Sequence, residues 1–153
     1  MRVFRICRSN RAQFDGEGAR IAGGRWNTPG LRLVYTAQSE SLAILEMLVH
    51  LTERQIPVNH VCVPAEVPDS LIEYLPGRAL PPDWRMDSAA TAQIGSRWIQ
   101  AGTSAVLRVP SVIVPREWNY LISPSHPAFS TIVVQDRLPI EFDPRLWKNK
   151  STN

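Results

Sequence analysis

The chain has 153 residues, enough for one domain that buries about two-thirds of its unfolded surface. Apolar residues make up 44% and charged residues 20%, which excludes a disordered chain, and the longest apolar runs fall short of the roughly 20 residues a membrane span needs. Seventeen basic against fourteen acidic residues leave only +3, thin support for a nucleic-acid binder.

The first segment, "MRVFRICRSNR", is interrupted by Arg2, Arg5, Arg8 and Arg11 and does not read as a signal peptide. Cys7 and Cys62 lack metal-ligand spacing and do not suggest a disulfide scaffold, so the expected location is cytoplasmic. In chain order, 3–7 alternates as a strand with Val3, Arg5 and Cys7 on one face. Residues 8–30 hold Gly16, Gly18, Gly23, Gly24, Pro29 and Gly30, and read as a long functional loop around Trp26. A strand follows at 31–37, then a helix at 39–51 with Ser39 as its N-cap. Residues 59–67 are β-like, with Pro64 arguing for a sheet edge. A second helix spans 90–102 and stops at Gly102. Short strands are expected at 105–109, 111–114, 118–122, 130–135 and 138–142, and a frayed tail at 148–153. This is a single β-rich α+β domain over 1–153, with two main helices rather than an alternating βαβ array. "GEGARIAGG" fits neither a dinucleotide fingerprint nor a phosphate loop.

Glu46 stands out. Its helix is apolar on most sides, and an ionised carboxylate there costs several kcal/mol unless it is paired or hydrogen-bonded. A buried ion pair, a solvent-facing gap and a working pocket acid all satisfy the pattern. Arg5 poses the same question mid-strand, because a guanidinium brings five donors and cannot shed its proton. Arg25 follows two glycines and is suited to grip phosphate, or simply to face water. Trp26 and Tyr35 offer aromatic faces for a flat ring, or for the core. His50, His60 and His126 have no metal-ligand spacing, so no metal is expected. The absence of Gly-x-Ser-x-Gly disfavours a serine hydrolase.

Taken together, "FRI" around Arg5, "GGRWN" at 23–27, "VYTAQSESLAILE" at 34–46, "IGSRW" at 94–98, "VPS" at 109–111 and "SPSHP" at 123–127 resemble the RES domain family. These stretches run in the family's order and cover almost the whole chain. Ser123 stands where the family usually has Asn before Pro-x-His-Pro. The resemblance implies an ADP-ribosyltransferase-like fold, with short sheets forming a cleft, and a toxin of a bacterial toxin–antitoxin pair. It implies cleavage of the nicotinamide–ribose bond of NAD⁺, with water, phosphate or a macromolecule as acceptor. NAD⁺ is then substrate, and no resident cofactor is expected. The family's arginine, second pocket arginine, tyrosine and glutamate fall on Arg5, Arg25, Tyr35 and Glu46, with Trp26 beside them. Its serine falls on Ser88 in preference to Ser111.

The expected partner is an Xre-type helix-turn-helix antitoxin, in a hetero-oligomer with no membrane and no direct nucleic-acid contact by this chain. A phosphate co-substrate is one option for the acceptor. Two other classes fit the composition: an RNA-directed toxin, and a nucleotide-binding module without turnover. The NAD⁺ reading requires that Arg5, Arg25 and Glu46 converge on one dinucleotide.

Overall fold

The computed structural model describes residues 1–51 and 57–147. Eight strands form one mixed, largely antiparallel sheet: β1 (Arg2–Arg8), β2 (Val34–Ala37), β3 (His60–Glu66), β4 (Ile72–Tyr74), β5 (Val106–Pro110), β6 (Trp118–Ile122), β7 (Val133–Val134) and β8 (Leu138–Pro139). Their order is β4-β5-β6-β2-β1-β3-β7, with β8 also on β3, and β4–β5 is the parallel pair. Among the described residues three α-helices join them: α1 (Glu17–Ala22), α2 (Glu40–Leu48) and α3 (Ser88–Ala101). The class is α+β, as the sequence pattern requires, but the strands form one continuous sheet instead of separate short ones.

Period-two alternation divides the sheet into two faces. Val3, Cys7, Val34, Val61, Val63, Val106, Tyr120 and Ile122 pack on one face with Phe14 and Ile132. Phe4 and Ile6 point the other way and pack with Ala37 against Leu42 and Ala43 of α2. Leu107, Val109 and Leu121 continue that second face and meet Trp26, Leu33 and Trp98. Helix α2 therefore lies on the Phe4 side of β1, opposite Val3 and Cys7.

Both expected helices form. Ser39 caps α2 by accepting the Leu42 N–H at 3.2 Å, and Gly102 closes α3 in the left-handed conformation. The stretch 8–30 is less irregular than expected, holding a 3₁₀ turn at Ser9–Arg11 and helix α1. Residues 111–114 are a turn, not a strand, and the strands expected at 130–135 and 138–142 shrink to two residues each.

Pro64 does not mark an edge. Its strand pairs with β1 on one side and with β7 and β8 on the other. Its carbonyl accepts from Gln135 N–H on the outer side, at 2.9 Å. A residue's N and C=O point the same way across a ladder, so the missing N–H also faces outward. It falls in the gap between β8, which stops at Cys62, and β7, which starts at Ala65. The tail at 148–153 lies outside the described residues.

Candidate active site

Glu46 sits on α2, half-buried, above the end of the β5–β6 pair. Two donors reach its carboxylate: the Ser111 hydroxyl at 2.8 Å and the Asn119 side-chain amide at 2.6 Å, both on Oε1. Ser111 is fully buried, and its Oγ also accepts the Ile113 and Val114 N–H groups at 3.1 and 3.0 Å. A hydroxyl has one proton and two acceptor positions. With both acceptor positions taken, the Ser111 proton is committed to Glu46. This turn, read from sequence as a strand, is what aims the serine.

On the same sheet face, Tyr35 lies two residues before Ala37, which is the register partner of Asn119. Tyr35 and Asn119 are thus diagonal neighbours, about 7–8 Å apart. The Tyr35 hydroxyl donates to Asn27 Oδ1 at 2.7 Å and accepts the Trp26 N–H at 2.9 Å. Burial pushes this phenol up to about 12, opposed by the backbone N–H of Trp26, by the Arg25 charge and by the backbone of Asn27. It stays protonated at any working pH. Asn27, itself buried, donates to the carbonyls of Ala19, Thr28 and Leu31. One amide thereby gathers the whole GGRWN loop.

Helix α3 presses on the same loop. Ser96 Oγ accepts the Thr28 N–H at 3.0 Å. A Cβ added at Gly95 would lie 1.9 Å from the Trp26 carbonyl oxygen, and one at Gly24 would lie 2.5 Å from the Tyr35 hydroxyl. Both positions need glycine for close approach rather than for backbone freedom. The loop holds Arg25 so that Nη1 donates to the Trp84 carbonyl at 3.4 Å, close enough for its charge to act on Tyr35.

Tyr35 thus shares the sheet face of Asn119, the residue that holds Glu46, and Arg25 stands near Tyr35. Arg5 does not join them. It extends from β1 on the Val3 side, donates to the Gln13 carbonyl and lies 5.7 Å from the Phe14 ring centroid. Of the two arginines expected to converge with Glu46 on one dinucleotide, Arg5 lies on the other face of the sheet. Trp26 is 2% exposed and its ring is core, tilted against Trp84 at 6.3 Å, so it offers no open face for a ligand. Ser88 opens α3, exposed, and its carbonyl accepts the Thr91 hydroxyl. Of the two serines weighed from sequence, Ser111 reaches the Glu46 carboxylate and Ser88 does not. Asn119, which the sequence places only within the expected strand at 118–122, is the residue beside Glu46 that sequence reasoning missed. Among the described residues no group of three or more His, Cys, Asp or Glu is placed to hold a metal ion.

An α+β domain with one helix-borne carboxylate clamped against its sheet, beside a glycine-built arginine loop, defines a class that has known relatives. The family model described as "RES domain" matches residues 2–143, and the chain belongs to that family. The "Prs ADP-ribosylating toxin" of Sphingobium sp. is 43% identical over 138 residues, covering 86% of this chain and 85% of that protein. The "Toxin Res" of Photorhabdus laumondii is 36% identical over 155 residues, covering 98% and 99%. That of Yersinia enterocolitica is 38% identical over 151 residues, covering 95% and 99%. A chain from the crystal structure of the M. tuberculosis MbcT-MbcA toxin-antitoxin complex superposes with a TM-score of 0.70 at 18% identity, over 95% of this chain and 86% of that one. At that identity the likeness is one of fold.

Proposed function

We propose that this chain is the toxin of a toxin–antitoxin pair and that it cleaves the bond between nicotinamide and ribose in NAD⁺. The observation that carries this reading is the half-buried Glu46 carboxylate, fixed by Ser111 and Asn119 and, among the described residues, paired with no arginine. When the C–N bond breaks, its electron pair leaves with nicotinamide and positive charge develops on the ribose. A fixed carboxylate in a partly dehydrated site stabilises that charge more than water would. Arg25 would neutralise the pyrophosphate, and the Tyr35 ring would orient the nicotinamide. Its hydroxyl is already committed to the loop. The exposed Ser88 hydroxyl is available to a ribose or carboxamide group. An acceptor then forms the new bond to the ribose carbon and completes the exchange.

Hydrolysis, phosphorolysis and protein modification differ only in that acceptor. The 43% identical relative is named for ADP-ribosylation, which favours a protein acceptor as a specific second reading. An antitoxin partner is supported by the fold's likeness to a chain from a toxin–antitoxin complex, and an Xre-type partner fits the same scheme. Among the described residues no helix is long and apolar enough to cross a membrane. Incubating the purified protein with NAD⁺ tests the reading, with nicotinamide release as the readout. Products with and without inorganic phosphate, and with labelled NAD⁺ in a cell extract, separate the acceptors. No nicotinamide release under any of these conditions would refute the proposal.

A further inference from the structure

The geometry points to Asn119 as a positioning residue: with Ser111 it ties down Oε1 of Glu46 and leaves Oε2 as the oxygen presented to the ribose. This deepens the NAD⁺-cleavage reading and rests on it. Both hydrogen bonds fall on one oxygen, and among the described residues none falls on the other. A carboxylate held symmetrically would spread its acceptor strength over two partners. Held by one edge, it keeps a full oxygen with unspent lone pairs.

The amide orientation supports the assignment. Asn119 Oδ1 is buried and takes no hydrogen bond among the described residues. Leaving a buried acceptor unsatisfied is costly. Turning the amide over would set Oδ1 against the carboxylate at the 2.6 Å separation now occupied by Nδ2, oxygen against anionic oxygen. The orientation that strands Oδ1 is therefore the one an ionised Glu46 selects. Asn119 is also placed for this by register. It lies across from Ala37 on β2 and Val109 on β5, and Ala37 is small enough to let Leu42 and Ala43 of α2 pack directly over it. The amide thus meets the helix about two turns after its N-cap without any loop to adjust.

The test pairs Asn119→Asp with Asn119→Ala and measures nicotinamide release from NAD⁺. Asp keeps the shape but replaces the donor by an acceptor. Both variants should lose kcat by about 30-fold or more, with KM for NAD⁺ changed less than about threefold. Should N119D fold poorly, Glu46→Gln combined with N119D exchanges donor and acceptor across the same contact. That double variant should recover the thermal midpoint lost in N119D yet stay inactive. A wild type that releases nicotinamide while N119A and N119D match it would overturn the inference alone. So would a loss confined to KM, or a double variant no more stable than N119D. A wild type that releases none would remove the functional reading, and this inference with it.

Discussion

The two faces of the sheet treat their charged side chains differently. On the α2 face Glu46 is gripped by side chains from two other segments, Ser111 has every hydrogen-bonding position filled, and Tyr35 is tied at its hydroxyl from both directions. On the opposite face Arg5 donates to the nearby Gln13 carbonyl and lies against the Phe14 ring, and Arg108 is stacked between the Tyr74 and Trp118 rings. A charged group held from several directions is preorganised for chemistry, because it needs no rearrangement when charge develops nearby. A charged group that folds back onto its own neighbourhood is packing. By that criterion the reaction belongs to the α2 face.

The sharpest way to break this distinction is Glu46→Gln. With the isosteric amide, kcat for nicotinamide release should fall about 10²–10³-fold, or about 3–4 kcal/mol in barrier, with the fold intact by circular dichroism. Next in size is Gly95→Ala. The added Cβ meets backbone, the Trp26 carbonyl, which cannot swing aside. Denaturant unfolding should show a loss on the order of 3 kcal/mol. Tyr35→Phe strands the Trp26 N–H and Asn27 Oδ1 together, and should cost about 2 kcal/mol in the same assay.

The arginines sharpen the contrast further. Arg25→Ala should raise KM for NAD⁺ about tenfold, close to 1.4 kcal/mol, whereas Arg5→Ala should lower the thermal midpoint and leave KM within about threefold. Equal kinetic losses in both would dissolve the division between faces. A separate effect is on alkaline stability. Burial raises the Tyr35 phenol to about 12, so the folded state holds that proton more tightly than the unfolded chain, whose value is near 10. The contribution is complete below pH 10 and drains away as pH rises toward 12. That part of the decline should be missing in Tyr35→Phe.

Much of this was written locally. Ser39 and the apolar periodicity after it announce α2, and a carboxylate amid that periodicity announces Glu46. Alternation in 3–7 already put Arg5 with Val3 and Cys7, apart from Phe4 and Ile6. Which of those faces would receive α2 is a tertiary fact that no period records. Ser111 and Asn119 were illegible for the same reason: they find Glu46 across 65 and 73 residues of chain. Seen alone, one belongs to a proline-flanked β segment and the other to an apolar strand. Trp26 misled in the opposite sense, since its place beside Arg25 suggested a ligand surface where α3 and Trp84 bury it.

The most direct measurement is an NMR titration of the catalytically slowed Glu46→Gln protein with NAD⁺. Backbone amides of Arg25–Asn27, residue 46, Ser111–Val114 and Asn119 should shift together with one saturation curve. Shifts confined to Arg5 and Gln13–Asp15, with the α2 face silent, would contradict the account.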